Sequence, residues 1–396
     1  MERRGGERVT TGYVTVTEWH GGLSKSSMYY FIIEGKSLVH ISRYATFKKY
    51  DPDVGEAQYV VDLSVLRGKT AVIISASNRG ISCYARVLPA ENIALGGSGG
   101  ATLPLSYLNE YTFTHLSRGE QDFLSSEWRP LYTPMIEDLR GFIAELSNSA
   151  WNALGYPARV ILPELVECQL ESGASYPLSY LIPYNDTARK RSLEQLTKWV
   201  HQLWVIAGIA RELRRRNKLQ NLYLNFGQTS YYPVASFTCR DGLCSLWYEF
   251  DATPHTMCKG MLWQEGLSLA VPPALEELYE RANAVKQRLG LQRTPLRPDI
   301  AILAGGLSCE ELKEGFRVKA IVECKNEDFE RWSRDVEKQL IAYKEVFQPE
   351  AVVLASAKTV PGSFKLSLRT RGVIVVDNVR PGGGGLSELL QIIGDI

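Results

Sequence analysis

The strongest constraint on this chain is the stretch formed by residues 297–343, in which two apolar runs each carry an acid at one end. The first run follows Asp299, and the second, residues 318–325, reaches Glu323 just before its end. Short runs rich in β-branched residues are typical of buried strands. Three glycines between them supply turn residues. The pattern therefore predicts two neighbouring antiparallel strands, each with a carboxylate at one end.

These residue types point to a particular chemistry. Two carboxylates on adjacent rigid strands can share a hard divalent cation such as Mg²⁺. Glu323 and Lys325 are two residues apart on a strand, so their side chains point to the same face. The Lys325 ammonium can then neutralise charge on a phosphate or orient an attacking water beside the metal. A helix is predicted over residues 333–347, with Gln339 one turn before Tyr343. The stretch predicts metal-dependent hydrolysis of a phosphodiester.

Three short motifs in this stretch resemble those of a known superfamily. They are Pro298-Asp299, Glu323-x-Lys325 and Gln339-x-x-x-Tyr343. The first two resemble the PD-(D/E)XK signature of the restriction-endonuclease-like nucleases, and the third resembles the extra motif of the exonuclease-type branches. The resemblance covers roughly the last half of the chain. It implies an α/β nuclease core over residues 191–396, which binds one or two Mg²⁺ ions, with Mn²⁺ as a substitute.

The same resemblance implies a role for each residue of the motifs. Asp299 and Glu323 would bind the metal, and the backbone carbonyl of Cys324 would add a ligand. Lys325 would contact the phosphate or the attacking water, while Gln339 would orient Lys325, water or substrate. Tyr343 would pack or contact the nucleic-acid strand. DNA is the expected substrate because most of the resembled families cut DNA, and RNA is the alternative.

A long amphipathic helix is predicted over residues 192–217, because apolar residues recur there at three- and four-residue steps. In the resembled fold, a helix before the sheet often carries a further acid near the metal. Glu194 is the predicted ligand, and Glu249 and Glu280 are alternatives. Gln202 lies nearer the middle of the helix, where such an acid is expected, but it is not a carboxylate.

Several basic residues are candidates for contacts with a phosphate backbone. They are Arg214, Arg215, Arg216, Lys338 and Lys344 in the C-terminal half, and Lys48 and Lys49 near the N-terminus. The alternative for the arginine cluster is a solvated helix end, and the alternative for the lysine pair is a solvated sheet edge. Lys plus Arg total 45 against 44 for Asp plus Glu, which gives a net charge of +1. Nucleic-acid binding would therefore depend on local patches.

The remaining sequence predicts two upstream regions. Residues 1–95 contain five or six short β-branched or aromatic runs separated by glycines, which predicts a β-rich barrel or sandwich. Basic and aromatic residues alternate over residues 40–50, as in single-strand-binding barrels, which makes this accessory domain a candidate for nucleic-acid binding. The favoured alternative for residues 40–50 is a strand with core aromatics and a solvated lysine edge. Residues 96–190 are predicted to form a linker and a helical segment. The predicted fold class is thus a multidomain α+β and α/β protein.

Composition limits the class of protein. A chain of 396 residues that is 45% hydrophobic and 22% charged is ordinary for a globular protein. Seven cysteines, an odd number, argue against a disulfide-rich secreted scaffold. Cys239 and Cys244 flank a hairpin-turn pattern and are predicted to be reduced, with a disulfide as the alternative. The N-terminus is polar, and no apolar run is long enough to span a bilayer. We therefore expect a cytoplasmic protein that does not contact membranes.

Two other functions remain open from the sequence. The first is an inactive nucleic-acid-binding or assembly subunit that keeps a nuclease-like fold. The second is an RNA-directed or ligand-activated nuclease, with residues 1–95 as the sensor. The motif set Asp299, Glu323 and Lys325 is complete, which favours an active enzyme over the first alternative. A homodimer or a partner subunit is compatible with each of these functions.

Overall fold

A computed structural model provides the three-dimensional description of the chain. It describes residues 12–20, 27–51, 56–76, 83–95, 100–103, 111–113, 124–148, 186–222, 233–250, 273–292, 294–306, 311–312 and 315–394. The chain divides into two compact units, Met1–Ile136 with Glu164–Leu196 and Glu137–Pro163 with Thr197–Ile396. Within the described ranges, no helix is both long enough and apolar enough to cross a membrane.

The first unit is built around a nine-stranded sheet. Its strands are β1 Tyr13–His20, β2 Ser27–Glu34, β3 Ser37–His40, β4 Ala45–Asp51, β5 Glu56–Asp62, β6 Thr70–Ala76, β7 Cys83–Pro89, β8 Ala101–Leu103 and β9 Thr112–Phe113. The order is β4-β5-β1-β2-β6-β7-β8, and β3 pairs with both β2 and β9. The predicted strand-rich N-terminal region is confirmed. In the described residues the end strands β4 and β8 do not pair, so backbone pairing does not close this sheet into a barrel.

Burial differs along the sheet: consecutive residues are buried in the central strands β2 and β6, whereas burial alternates in β5. Along β5, Ala57, Tyr59 and Val61 are buried while the residues between them are partly exposed. This period of two is the pattern of a strand with one face against the core. Short 3₁₀ turns connect some of the strands, at Ile41–Arg43, Leu63–Leu66 and Ala90–Leu95, and a π-helix spans Leu124–Tyr132.

The second unit contains a seven-stranded mixed sheet. Its strands follow their sequence order: β10 Leu219–Leu222, β11 Ala235–Cys239, β12 Gly242–Tyr248, β13 Ile300–Ala304, β14 Arg317–Lys325, β15 Ala351–Ser356 and β16 Ile374–Val376. The pairings from β10 to β14 are antiparallel, and β14, β15 and β16 are parallel. The predicted antiparallel pairing of the two acid-bearing runs is confirmed.

Six α-helices lie in the described part of the chain. They are α1 Thr133–Asn148, α2 Asp186–Arg215, α3 Pro273–Leu289, α4 Phe329–Phe347, α5 Gly362–Thr370 and α6 Gly385–Gly394. Parallel strands need a crossover connection, and α4 and α5 supply it for β14 to β15 and for β15 to β16. The chain is therefore a mixed α/β protein with a strand-rich N-terminal region.

Packing in the second unit explains the strongly apolar sequence of its central strands. Every residue of β14 from Val318 to Cys324 is buried. A strand covered on both faces reads as a continuous apolar run. Helix α4 contributes one apolar stripe to the same core, including Leu340, Tyr343 and Phe347. Its buried residues recur every three or four positions, which fixes the side that faces the sheet.

Two sequence predictions about the β11–β12 hairpin have different outcomes. The hairpin is confirmed, but its turn, predicted at Asp241-Gly242, lies one residue earlier at Arg240-Asp241, because Gly242 already pairs with Cys239. The prediction that Cys239 and Cys244 are reduced is wrong, because the two residues are joined by a disulfide. Their Cα atoms lie 5.8 Å apart, which is within the range that a disulfide spans. The turn places the two cysteine side chains on the same face of the hairpin. They are therefore close enough to bond, although the chain as a whole contains few cysteines.

Candidate active site

Sheet register places the two predicted acids opposite each other. Ile300 pairs with Val322 across β13 and β14, so the next residues outward, Asp299 and Glu323, face each other. Opposite residues of an antiparallel pair have Cβ atoms about 4.5–5.5 Å apart. Both acids are 1% exposed. The sheet therefore holds two carboxylates side by side in a buried position.

Asp299 has one neutral and one charged partner. The backbone N–H of Cys324 donates to Asp299 Oδ2 over 2.8 Å. The ammonium of Lys198, from helix α2, lies 3.1 Å from Asp299 Oδ1. The backbone contact is fixed by the sheet, whereas the Lys198 side chain is 35% exposed. One oxygen of Asp299 is thus anchored rigidly, and the other is held by a flexible side chain.

Glu323, like Asp299, has one neutral and one charged partner. Lys325 Nζ donates to Glu323 Oε1 over 2.6 Å, as expected for two residues on one face of a strand. The Tyr343 hydroxyl donates to Glu323 Oε2 over 3.2 Å. Gln339 Nε2 in turn donates to the Tyr343 oxygen over 2.5 Å. The Gln-x-x-x-Tyr motif therefore acts on Glu323 through the tyrosine hydroxyl, one turn apart on α4.

The electrostatics reflect two acids confined with two cations. Burial and the nearby Asp299 carboxylate raise the pKa of Glu323. Burial opposes the charged form of Lys325, but the Glu323 and Asp299 carboxylates outweigh it and raise the pKa of the ammonium. Burial, with Glu323 next, raises the pKa of Tyr343, so its hydroxyl remains a donor. The arrangement favours bound cations near the acids.

Helix α2 adds a polar face that the sequence interpretation missed. Lys198, His201 and Gln202 lie at positions i, i+3 and i+4, so they share one side of the helix. His201 Nε2 donates to the Val379 carbonyl over 2.9 Å. Burial lowers the pKa of His201 to about 4, which keeps the imidazole neutral. Gln202 Oε1 accepts a hydrogen bond from Tyr248 over 2.9 Å.

This polar face had a signal in the sequence. The three polar residues recur at helical spacing just before the apolar run of residues 203–210. Gln202 and His201 are fully buried. Among the residues that the structure describes, the Gln202 amide nitrogen and His201 Nδ1 have no hydrogen-bond partner. Buried polar atoms normally have a hydrogen-bond partner, so these two atoms favour a water molecule or another polar group near Asp299.

The donor set suits a hard divalent cation that keeps part of its water shell. Carboxylate oxygens are the ligands that Mg²⁺ prefers, and Mg²⁺ is commonly bound by one or two carboxylates together with waters and substrate phosphates. The described residues contain no group of three or more His, Cys, Asp or Glu arranged to hold a metal. The two carboxylates therefore fit Mg²⁺ with substrate and water completing its shell, and they do not fit an all-protein metal cage.

The three candidates for a further acidic ligand differ in their surroundings, and Glu249 is beside the site, since its backbone N–H donates to the Asp299 carbonyl over 2.8 Å. The side chain of Glu194 falls outside the described residues. Glu249 has a left-handed backbone with φ of 48°, and its carboxylate lies 3.4 Å from Arg297. Glu280 is exposed on α3. For Cys324, the observed contact is its N–H to Asp299, so the predicted carbonyl ligand remains a prediction.

The predicted nucleic-acid contacts differ in accessibility. Tyr343 is fully buried, which supports the packing role and not contact with a strand. Arg215 and Arg216 bond Glu212 through 2.7 Å contacts, and Arg214 is 3.8 Å from Glu145. The other four candidates are lysines, and all are exposed: Lys338 and Lys344 on α4, and Lys48 and Lys49 on β4. Lys344 also donates to the Arg371 carbonyl over 2.6 Å.

Comparisons with known proteins add no relative to this description. Neither the protein-family models nor the curated proteins nor the solved structures contain a match to this chain. The residues themselves therefore carry the functional argument.

Proposed function

We propose that the chain is a Mg²⁺-dependent nuclease whose C-terminal part is a restriction-endonuclease-like core, with DNA as the expected substrate. One observation carries this proposal. Asp299 and Glu323 lie opposite each other on paired strands, with Lys325 projecting from the same strand face as Glu323. A pair of buried carboxylates beside an ammonium suits phosphodiester hydrolysis, in which charge develops on the phosphate.

The residues of the site divide into those that hold a cation and those that hold the acids in place. Asp299 and Glu323 would supply the oxygen ligands, and the bound Mg²⁺ would lower the pKa of a water and neutralise phosphate charge. The Cys324 N–H fixes Asp299, and the Tyr343 hydroxyl fixes Glu323. Gln339 holds the tyrosine hydroxyl in turn. These neutral donors preserve the orientation of both carboxylates without adding positive charge.

Lys325 is the residue best placed to act on substrate. Its ammonium is held 2.6 Å from Glu323 and is 18% exposed, so it is accessible from one side. Its raised pKa keeps it charged at neutral pH, because the two acids outweigh the effect of burial. A charged ammonium beside the acids would bind a phosphate oxygen or orient the attacking water. It would not serve as a general base in that form.

Strand β4 supports an accessory role for the first unit. This strand is at one end of the sheet order, and among the strands that the structure describes it pairs only with β5. Its exposed residues include Lys48 and Lys49, and the Phe47 side chain is 54% exposed. Exposed aromatics stack on bases while nearby ammonium groups meet phosphates, as on single-strand-binding surfaces. We therefore propose that β4 contributes to nucleic-acid binding.

A cleavage assay tests the main proposal. The full chain is incubated with labelled single-stranded DNA, double-stranded DNA and RNA, with Mg²⁺ or with a chelator. Asp299→Asn removes a charge but keeps an oxygen that accepts from Cys324, and Lys325→Met removes the ammonium. Each substitution should reduce the rate by about a hundredfold or more. Lys286→Met, on α3, is the matched control and should cleave normally. Wild-type rates in both site variants would overturn the assignment.

A second candidate function rests on a specific feature of the same site. All four carboxylate oxygens of Asp299 and Glu323 have protein partners. A fully satisfied network of this kind also suits a nucleic-acid-binding or assembly subunit that has lost catalysis. Binding of DNA or RNA without cleavage under any divalent cation, and without any change in Asp299→Asn, would support this function over the nuclease.

A further inference from the structure

Each acid of the proposed nuclease site has one oxygen held by a neutral donor and one held by an ammonium. Asp299 Oδ2 accepts from the Cys324 N–H, and its Oδ1 faces Lys198. On Glu323, Oε2 accepts from a tyrosine hydroxyl and Oε1 faces Lys325. The neutral donors are built into the sheet and helix. The two ammonium-bound oxygens are therefore the ones that a metal ion would contact.

The site is electrically neutral without a metal ion, so a bound divalent cation would have to displace an ammonium group. Two carboxylates and two ammonium groups sum to zero, and the described residues supply no third acidic, cysteine or histidine ligand at the site. If a divalent cation bound the carboxylates while both ammonium groups stayed in place, three cations would lie within a few ångströms of one another in a buried position. Such repulsion is costly. At least one lysine must therefore leave its carboxylate when the ion binds.

Lys198 is the lysine better able to leave. Its side chain is 35% exposed, compared with 18% for Lys325, and its contact of 3.1 Å is longer than the 2.6 Å contact of Lys325. It reaches the site from helix α2, whereas Lys325 is two residues from its partner on the same strand. When the Lys198 ammonium moves away, the Cys324 N–H still orients Asp299.

We propose that Lys198 is an internal counter-ion that competes with the divalent cation for Asp299, so that metal loading exchanges one cation for another. This inference rests on the proposed function, because it assumes that Asp299 and Glu323 bind a metal. Lys198 thereby sets the cation concentration at which the site fills. It is a positioning residue in the unloaded state, and it also prevents an uncompensated buried pair of carboxylates.

Direct metal binding tests this inference without an activity readout. Mn²⁺ is titrated into the full chain in the absence of nucleic acid, with binding followed by calorimetry and by the electron paramagnetic resonance signal of free Mn²⁺. Lys198→Met removes the competing charge and should tighten binding by about tenfold, which equals about 1.4 kcal/mol. Lys198→Arg keeps the charge and should bind Mn²⁺ with wild-type affinity.

Three further variants define the result. Asp299→Asn identifies binding at this site, because the loss of one carboxylate should abolish it. Lys286→Met is the control for removing a lysine elsewhere in the same unit and should match the wild type. Lys198→Gln is measured in parallel. If circular dichroism shows that Lys198→Met is misfolded, the glutamine variant decides the outcome.

The outcomes separate this inference from the proposed function. If the wild type binds Mn²⁺ and both uncharged Lys198 variants bind with equal or weaker affinity, the competition is refuted while the metal site stands. If only the uncharged variants bind, Lys198 blocks the site more strongly than expected, which supports the inference. If none of the chains binds Mn²⁺ in a manner that depends on Asp299, the metal site and the inference both fail.

Discussion

The buried imidazole of His201 should make the stability of the protein depend on pH in a defined window. Burial lowers its pKa from 6.5 to about 4, although the Val379 carbonyl and the Asp299 carboxylate favour its charged form. The folded state therefore holds His201 neutral where the unfolded chain would protonate it. At about 1.36 kcal/mol for each pKa unit, full protonation costs about 3 kcal/mol of unfolding free energy.

The sign follows from which state binds the proton more tightly. Well above pH 6.5 His201 is neutral in both states, so its titration costs no stability there. As the pH falls from 6.5 to about 4, the unfolded chain takes up the proton first and stability is lost. At pH 5 the loss from this residue should be about 2 kcal/mol.

A substitution isolates this residue from all others that titrate. His201→Gln keeps an amide donor for the Val379 carbonyl but cannot take up a proton in this range. Urea unfolding is followed by tryptophan fluorescence at intervals from pH 8 to pH 5, for the wild type and for the variant. The wild type should lose about 2 kcal/mol more than the variant over that interval. Parallel curves would show that His201 is not held neutral by the fold.

Three other substitutions test the packing and the hydrogen bonds. Tyr343→Phe removes the donor to Glu323 and should lower cleavage and Mn²⁺ affinity by about tenfold to a hundredfold, while the fold remains intact by circular dichroism. Leu340→Ala creates a cavity beside the second sheet and should cost about 2–5 kcal/mol of unfolding free energy in urea. Gly100 has φ of +100°, and an added Cβ would collide with a backbone carbonyl of β7. Gly100→Ala should therefore cost at least about 1–2 kcal/mol, whereas Gly12→Ala, in open space, should change stability far less.

The elements that the sequence predicted well are those with a long periodic signal. The strands that carry Asp299 and Glu323 were expected as an antiparallel pair, because each is an apolar run with turn glycines between them. The helix expected over residues 333–347 is present but begins earlier, at Phe329. The apolar stripe continues into this first turn, because Trp332 is buried one turn before Val336 and Phe329 packs against the same core. The exact residue at which a helix begins is the least certain part of a prediction based on periodicity.

The parts that the sequence did not predict depend on contacts between distant residues. Lys198 is 101 positions before Asp299 in the chain, and only the fold brings the two together. The resemblance implies an acid on helix α2 and makes no prediction for a lysine there. The low cysteine density likewise predicts reduced thiols at Cys239 and Cys244, because composition describes the whole chain and not one pair of neighbouring thiols.

The parallel half of the second sheet has a consequence for how this protein can diversify. Strands β14, β15 and β16 run parallel and end on the same side of the sheet, so the segment that follows β15 begins beside Lys325 and the segment that follows β16 begins one strand further away. Ala357 donates to the Lys325 carbonyl over 2.7 Å, which ties one such segment to the site. Loops on a rigid scaffold tolerate insertion and substitution far better than the strands that support them. Under the proposed nuclease function, new substrate preferences would arise by exchanging these segments, while the acids and their anchors stay unchanged.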